Sequence, residues 1–365
     1  MGRFNGNSLS ETDTRESSLG PSRVTIYNPE SVLSDLSNLP ESTSSLGQRE
    51  LGHKSPCSLY TSAQESELAS SQIERSQREL HWYKRIKKRA APQPLSEPYR
   101  RYLEDIGALI ELPRATTDAL VPIYISVLDD LIPVVDGARV FRDYSNGQSS
   151  SYLVKAICLL ACKTTEAAPF LRISIDGPLM KPLEFASKLL SGLDAAIKAD
   201  LELDRIIKVQ VLALMHLHTD GFSGIDRALS HLSQAICEAW SLSLHLKIPG
   251  NLEQDQNDFL WWTLRNFDRI NKPITGAAPF IIDDTDIGIE RITPRKESYR
   301  SQVMEVSLRL GDLMVVATKV HKASSKARVD QCHEFPSFCE LTSDTDYRHF
   351  HKSHRGMSDR LNSKA

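Results

Sequence analysis

The chain is short of several things, and each shortage excludes a class. Its six cysteines, Cys57, Cys158, Cys162, Cys237, Cys332 and Cys339, are scattered over 365 residues. With no secretory leader, they read as reduced thiols in an intracellular protein rather than a disulfide framework. No apolar run follows a basic start, so no signal peptide is visible. No stretch approaches the roughly 18 apolar residues of a membrane span. Neither charge dominates: the formal net charge is -3, which argues against a whole-surface nucleic-acid binder, because phosphate binding needs concentrated Lys and Arg. Aromatics are only 7% of the chain, and they are sparse in the first 64 residues. Alternating strand patterns are nearly absent, which leaves an all-α class.

Enzyme signatures are missing as well. There is no Gly-x-Ser-x-Gly elbow, no phosphate loop, no Gly-x-Gly-x-x-Gly and no His-Glu-x-x-His. Gly221-Phe-Ser-Gly224 lacks the second spacer and a preceding strand, so it reads as a helix-helix loop. Asp283, Asp284 and Asp286 form a short acidic loop. Three aspartates supply too few ligands for a hard cation, so they are expected to bond their own backbone in solvent. Cys158 and Cys162 lie one turn apart among Ile157, Leu159 and Leu160 and are expected as small core residues. Cys332, His333, Cys339, His349, His351 and His354 are zinc-ligand types without the spacing of a closed site. His216 and His218 fall on different helix faces, so one is expected inside and the other at the edge. No catalytic residue, no metal ligand and no cofactor of this chain is expected.

What is present is mostly helical. Residues 1–64, rich in Ser, Asn, Gly and Glu, are expected to be a disordered tail. Residues 65–115 form a helical and basic linker ending its first helix in Lys84, Arg85, Lys87, Lys88 and Arg89, a nuclear-import candidate. Ile73 and Leu80 are a heptad apart, but Ser66 and Lys87 on either side are polar, so no coiled-coil stripe forms. A short helix over 99–112 stops at Pro113. From 116 to 330 lies the globular body. Leu120, Ile123, Tyr124, Val127, Leu128 and Leu131 form one stripe, ended by Pro133. Tyr152–Cys162 and Ile206–Leu217 are apolar almost all round, as in helices buried inside a bundle. Ile225, Leu229, Leu232, Ile236 and Ala239/Trp240 step as an amphipathic helix, and so do Leu260, Leu264 and Phe267 with Trp261 and Ile270. A last long helix spans about 301–321. Residues 331–365 are read as a loop and a tail.

Three blocks carry a resemblance. The first is Trp261-Trp262, Asp268-Arg269, Gly276 to Pro279, then Ile282-Asp283-Asp284-Thr285-Asp286-Ile287. The second is His231 to His245, ending Leu242-Ser243-Leu244-His245; the third is Ile123 to Phe141 with Leu131-Ile-Pro-Val-Val-Asp136. Together they resemble the fungal-specific transcription factor regulatory domain, the middle homology region of the binuclear zinc-cluster regulators. Phe335-Pro-Ser-Phe338 resembles a later loop of the cutinase/xylanolytic regulator branch. The likeness spans about 116–350 and implies an all-α bundle with transcriptional regulation in the nucleus. Its partners would be the transcription machinery or other regulators, a second copy, or a small effector; the alternative is a cytoplasmic helical scaffold. Trp261, Trp262, Asp268, Arg269, Gly276, Pro279, Asp283, Asp284 and Asp286 are the signature positions. Two departures stand out: Ser243 replaces the usual Gly, and Ala277-Ala278 replaces the usual arginine-bearing turn. The family's zinc cluster takes six cysteines, and only Cys57 precedes the domain here. The chain is therefore expected to be a short form or a fragment, without direct sequence-specific DNA reading.

Overall fold

The computed structural model describes residues 56–87, 94–220, 224–275, 280–321, 336–337 and 340. Residues 1–55 of the expected 1–64 tail, Lys88 and Arg89, the Gly276–Pro279 turn and the Cys/His-bearing C-terminal segment lie outside them, whereas residues 56–64 of that tail are helical, as the start of the first helix. The chain divides into two units, residues 1–61 and 62–365, and the helical body belongs to the second.

The architecture is all-α. Among the described residues there are ten α-helices and no strand: α1 Pro56–Lys87, α2 Glu97–Asp105, α3 Arg114–Val127, α4 Gly137–Ser145, α5 Ser151–Ala161, α6 Pro182–Lys198, α7 Arg205–His216, α8 Gly224–Ser241, α9 Gln254–Thr275 and α10 Tyr299–His321. Packing runs from α3 to α5, then α7, α8, α9 and α10, with α6 also lying on α5. The apolar helices sit where their sequence demands. In α5, every residue from Leu153 to Ala161 is buried, and in α7 nearly all are. Cys158 and Cys162 are fully buried among them, and burial pushes the Cys158 thiol up and the Cys162 thiol to about 11.

Local chemistry starts these helices. The Ser150 hydroxyl accepts from Tyr152 N and Leu153 N at 3.2 and 3.5 Å. The Asp204 carboxylate accepts from Ile206 N and Ile207 N at 2.9 and 3.3 Å, and Asp136 caps α4 through Arg139 N at 3.1 Å. Each cap satisfies backbone donors that the first helical turn leaves without partners.

Several expectations need correction. The 99–112 helix instead spans Glu97–Asp105, because Gly107 takes φ +86 and turns the chain just beyond it. α3 ends at Val127, well before Pro133; Val127 and Leu131 are exposed rather than in the core stripe. On α8 the buried line is Ala228, His231, Leu232, Ala235, Ile236 and Ala239, while Ile225 is 47% exposed. The alanines have no bulk to hold α7 off, so the small-residue face of α8 meets it. His216 and His218 are both buried, neither at an edge, and burial lowers both imidazoles. His216 Nδ1 lies 2.8 Å from Ala228 O. The polar end of α1 also packs on the body: Tyr83 is buried and its hydroxyl accepts from Asn257 Nδ2 at 2.8 Å.

Helices α4 and α6 are additions to the elements expected from periodicity. α6 begins at Pro182 and buries Phe185, Leu189, Leu190, Leu193 and Ile197. Midway, Gly192 lets α6 reach the α2 turn; a Cβ there would lie 2.4 Å from Gly107 O.

Ser243 explains its own departure from the resembled pattern. It holds φ +57 just beyond α8, the left-handed region that a Cβ disfavours and glycine adopts freely. Ser243→Gly is expected to stabilise the fold by about 1 kcal/mol. A urea unfolding midpoint that does not rise would contradict this.

Candidate functional site

A polar cluster in the body joins α9, the segment 280–291 and α10. From Leu260 to Asn266, and again at Asp268 and Arg269, α9 is buried. Leu260, Trp261 and Leu264 belong to the core. Asp268 and Arg269 lie inside as well, at 5% and 4% exposure. A buried charge must be paired and hydrogen-bonded, and here adjacent residues do both. The Asp268 carboxylate accepts from Ile281 N at 3.0 Å and Ile282 N at 3.0 Å, and from Arg269 Nη1 at 3.0 Å. Arg269 Nη2 donates to Ile282 O at 2.6 Å and Asp284 Oδ1 at 3.1 Å. The Asp-Arg pair thus clamps one peptide segment through its donors and its acceptor.

The acidic loop divides in two. Asp283 behaves as expected of a solvated loop aspartate, capping the short 3-10 helix Asp284–Asp286 through Thr285 N at 2.9 Å. Asp286 is exposed. Asp284 is exposed too but departs in its partners: Arg265 grips it from α9 at 3.0 and 2.7 Å. Partial burial alone would raise the Asp284 carboxyl; the guanidiniums of Arg265 and Arg269 outweigh it and hold the group below the usual carboxylate range.

The ladder continues into α10. Arg265 also donates to Asp312 at 2.7 Å, and Arg291 bridges Asp312 at 2.8 Å and Glu305 at 3.3 Å. Gly311 permits this approach, because a Cβ there would lie 2.4 Å from Asn266 Oδ1. Trp262 Nε1 donates to Glu290 O at 2.9 Å, fixing the far end of the segment. Periodicity gave no warning of this network. The signal that could have found it is the arginines and their acids recurring across Arg265–Asp312.

Chemically, the cluster is a clamp. Its cations are guanidiniums, which do not give up protons near neutrality, and its acids are spent on them. A cleft of about 340 Å³ opens beside it, lined by Lys247, Asp258, Phe259, Glu290, Arg291 and Arg295. Among the described residues no group of three or more His, Cys, Asp or Glu side chains is placed to hold a metal ion, and no helix is long and apolar enough to cross a membrane.

The basic run is split. Lys84 and Arg85 are exposed on the last turn of α1. Lys87 pairs with Glu253, which also accepts Arg139 at 2.8 Å. Lys88, Arg89, Gly276 and Pro279 fall outside the described residues.

No family model matches the chain, and no solved structure matches it. It is similar to cutinase transcription factor 1 alpha of Fusarium vanettenii, with 25% identity over 193 residues. The match covers 51% of this chain and 21% of that protein, so the chain spans about a fifth of that relative's length. That relative is a transcription factor rather than an enzyme, and the chain is distantly similar to it.

Proposed function

We propose that this chain is the helical regulatory part of a transcriptional regulator of the fungal zinc-cluster type. It works by protein contact or by sensing a small effector, and it catalyses no reaction. The similarity to cutinase transcription factor 1 alpha carries the reading. The all-α bundle agrees with it, and the exposed Lys84 and Arg85 suit recognition by an import receptor. Nuclear location, the transcription machinery as partner and a second copy of the chain belong to the proposal. Zinc is no part of the proposal, which concerns the helical body. Direct base reading is left out of it because Lys84 and Arg85 offer phosphate contacts, which position a protein without specifying sequence.

The test tethers the full chain to a heterologous DNA-binding domain beside a reporter promoter. A several-fold change in reporter output, up or down, is expected, together with loss of nuclear signal in a Lys84→Ala/Arg85→Ala fluorescent fusion. An unchanged reporter sinks the regulatory reading. Salt-resistant, sequence-specific retardation of DNA by the purified chain sinks the claim that it does not read bases.

A further inference from the structure

Helix α10 has two apolar faces, and the core uses one. Met304 and Leu308 reach into the core, and Ser301 and Gly311 are buried beside them. On the opposite side of the helix, by its 3.6-residue turn, run Val303, Val306, Leu310, Leu313 and Ala317. Their spacing alternates between three and four, as in a seam on which a second helix seats its side chains. None of the five belongs to the core or packs against it. Leu310 is 43% exposed, and Val316 beside the seam is 37% exposed. Of Gln302, Ser307, Arg309, Met314 and Val316, which flank the seam, only Arg309 is charged, and its guanidinium donates to Glu305 at 2.8 Å. Such a seam suits a helix whose facing side carries no charge either, since a desolvated unpaired charge is penalised there.

The chain itself carries a helix start of that kind. Ser337 and Glu340 cap each other: Glu340 N donates to Ser337 Oγ at 3.3 Å, and Ser337 N donates to Glu340 Oε2 at 2.6 Å. This reciprocal bonding opens a helix. In the sequence beyond it, the helical period puts Phe338, Leu341, Thr342 and Thr345 on one face and Glu340, Ser343 and Asp344 on the other. The first face is uncharged, as the seam requires. Reach is ample. Ser337 stands sixteen residues beyond His321, the last residue of α10, and that length of extended chain spans more than about 50 Å. The 23 residues of α10 extend over only about 35 Å. A helix of two turns is marginal alone, but a tether on the same chain holds it at an effective concentration on the order of mM. A second copy would have to bring its own seam from solution.

We propose that residues 337–345 dock as a helix on the outer seam of α10, with Phe338 and Leu341 seated on it. The inference goes beyond the regulatory reading and holds whether or not the chain regulates transcription. Seated there, the segment closes the seam to helices of other proteins.

The test makes Leu310→p-benzoylphenylalanine in the full chain, irradiates it and separates monomer from dimer before peptide mass spectrometry. A monomer product joining position 310 to residues 337–345 is expected, several-fold above the yield from the same photo-crosslinker at the exposed Leu183 of α6. Phe338→Asp should cut that yield several-fold, and so should Ser337→Ala combined with Glu340→Ala. Product found only in the dimer overturns the proposal, because a second copy then holds the seam. No product with residues 337–345 overturns it too, as does an equal yield from position 183 or a Phe338→Asp yield equal to the parent's. Leu310, Ser337 and Glu340 are exposed, so the fold survives these changes.

Discussion

Asp268→Ala is expected to cost about 3–5 kcal/mol of folding stability, among the largest losses of any single substitution in the body. The carboxylate takes the amides of Ile281 and Ile282 and the guanidinium of Arg269. Removing it leaves two backbone donors and a cation without that partner, and Arg269 is only 4% exposed. Arg269 keeps Asp284 and Ile282 O, so the loss is that of a broken buried pair together with two buried amides left unmatched. The cost of Arg269→Met should be smaller, because the Asp268 carboxylate it leaves is still held by two amides, whereas Asp268→Ala strands both of them. Urea unfolding of the two variants measures the difference. If Asp268→Ala loses less than about 1 kcal/mol, or if Arg269→Met loses more, the clamp is not organised as described.

The helices that could be read from sequence are those whose period is carried by large apolar residues. α5 and α7 are apolar all round, and both lie in the middle of the bundle. α8 was legible as a helix but not in its orientation, because its buried line runs through Ala228, Ala235 and Ala239. A stripe of alanines is buried by what approaches it, and the approaching surface of α7 is not encoded in the α8 segment. The same holds for Asp284. Nothing in Asp-Asp-Thr-Asp distinguishes an aspartate that bonds its own loop from one gripped by Arg265, nineteen residues earlier. α6 is different: both its Pro182 start and the apolar spacing from Phe185 to Ile197 are encoded within the segment itself.

The site follows the same division. Trp261, Trp262, Asp268 and Arg269 stood out as residue types, yet their neighbours decide what they do. Trp261 and Trp262 are adjacent and chemically identical. Trp262 faces the segment 280–291 and donates its indole N–H to Glu290 O at 2.9 Å. Trp261 faces α8 and its sequel, with its ring 6.1 Å from Trp240 and 5.3 Å from His245. Its own N–H has no hydrogen-bond partner among the described residues.

Because the two indoles are held so differently, their substitutions should differ in cost. Trp261→Ala should lose about 3–5 kcal/mol, as is usual for a fully buried large aromatic replaced by alanine, since Trp261 is 0% exposed. The cavity would open between α8 and α9, and the rings of Trp240 and His245 would lose their partner. Trp261→Phe tells more. It gives up part of the indole area but also removes a buried donor whose desolvation costs about 1–3 kcal/mol when unmatched, so the two contributions oppose and the net loss should be slight. Trp262→Phe gives up the same area and strips Glu290 O of its donor, so both contributions point the same way. Trp262→Phe should therefore be the more destabilising phenylalanine variant, by about 1 kcal/mol or more. Thermal and urea unfolding of the three variants fix the order: Trp261→Ala worst, Trp262→Phe next and Trp261→Phe nearest the parent. If the two phenylalanine variants change places, the indole of Trp261 has a partner that the packing of α9 against α8 does not reveal.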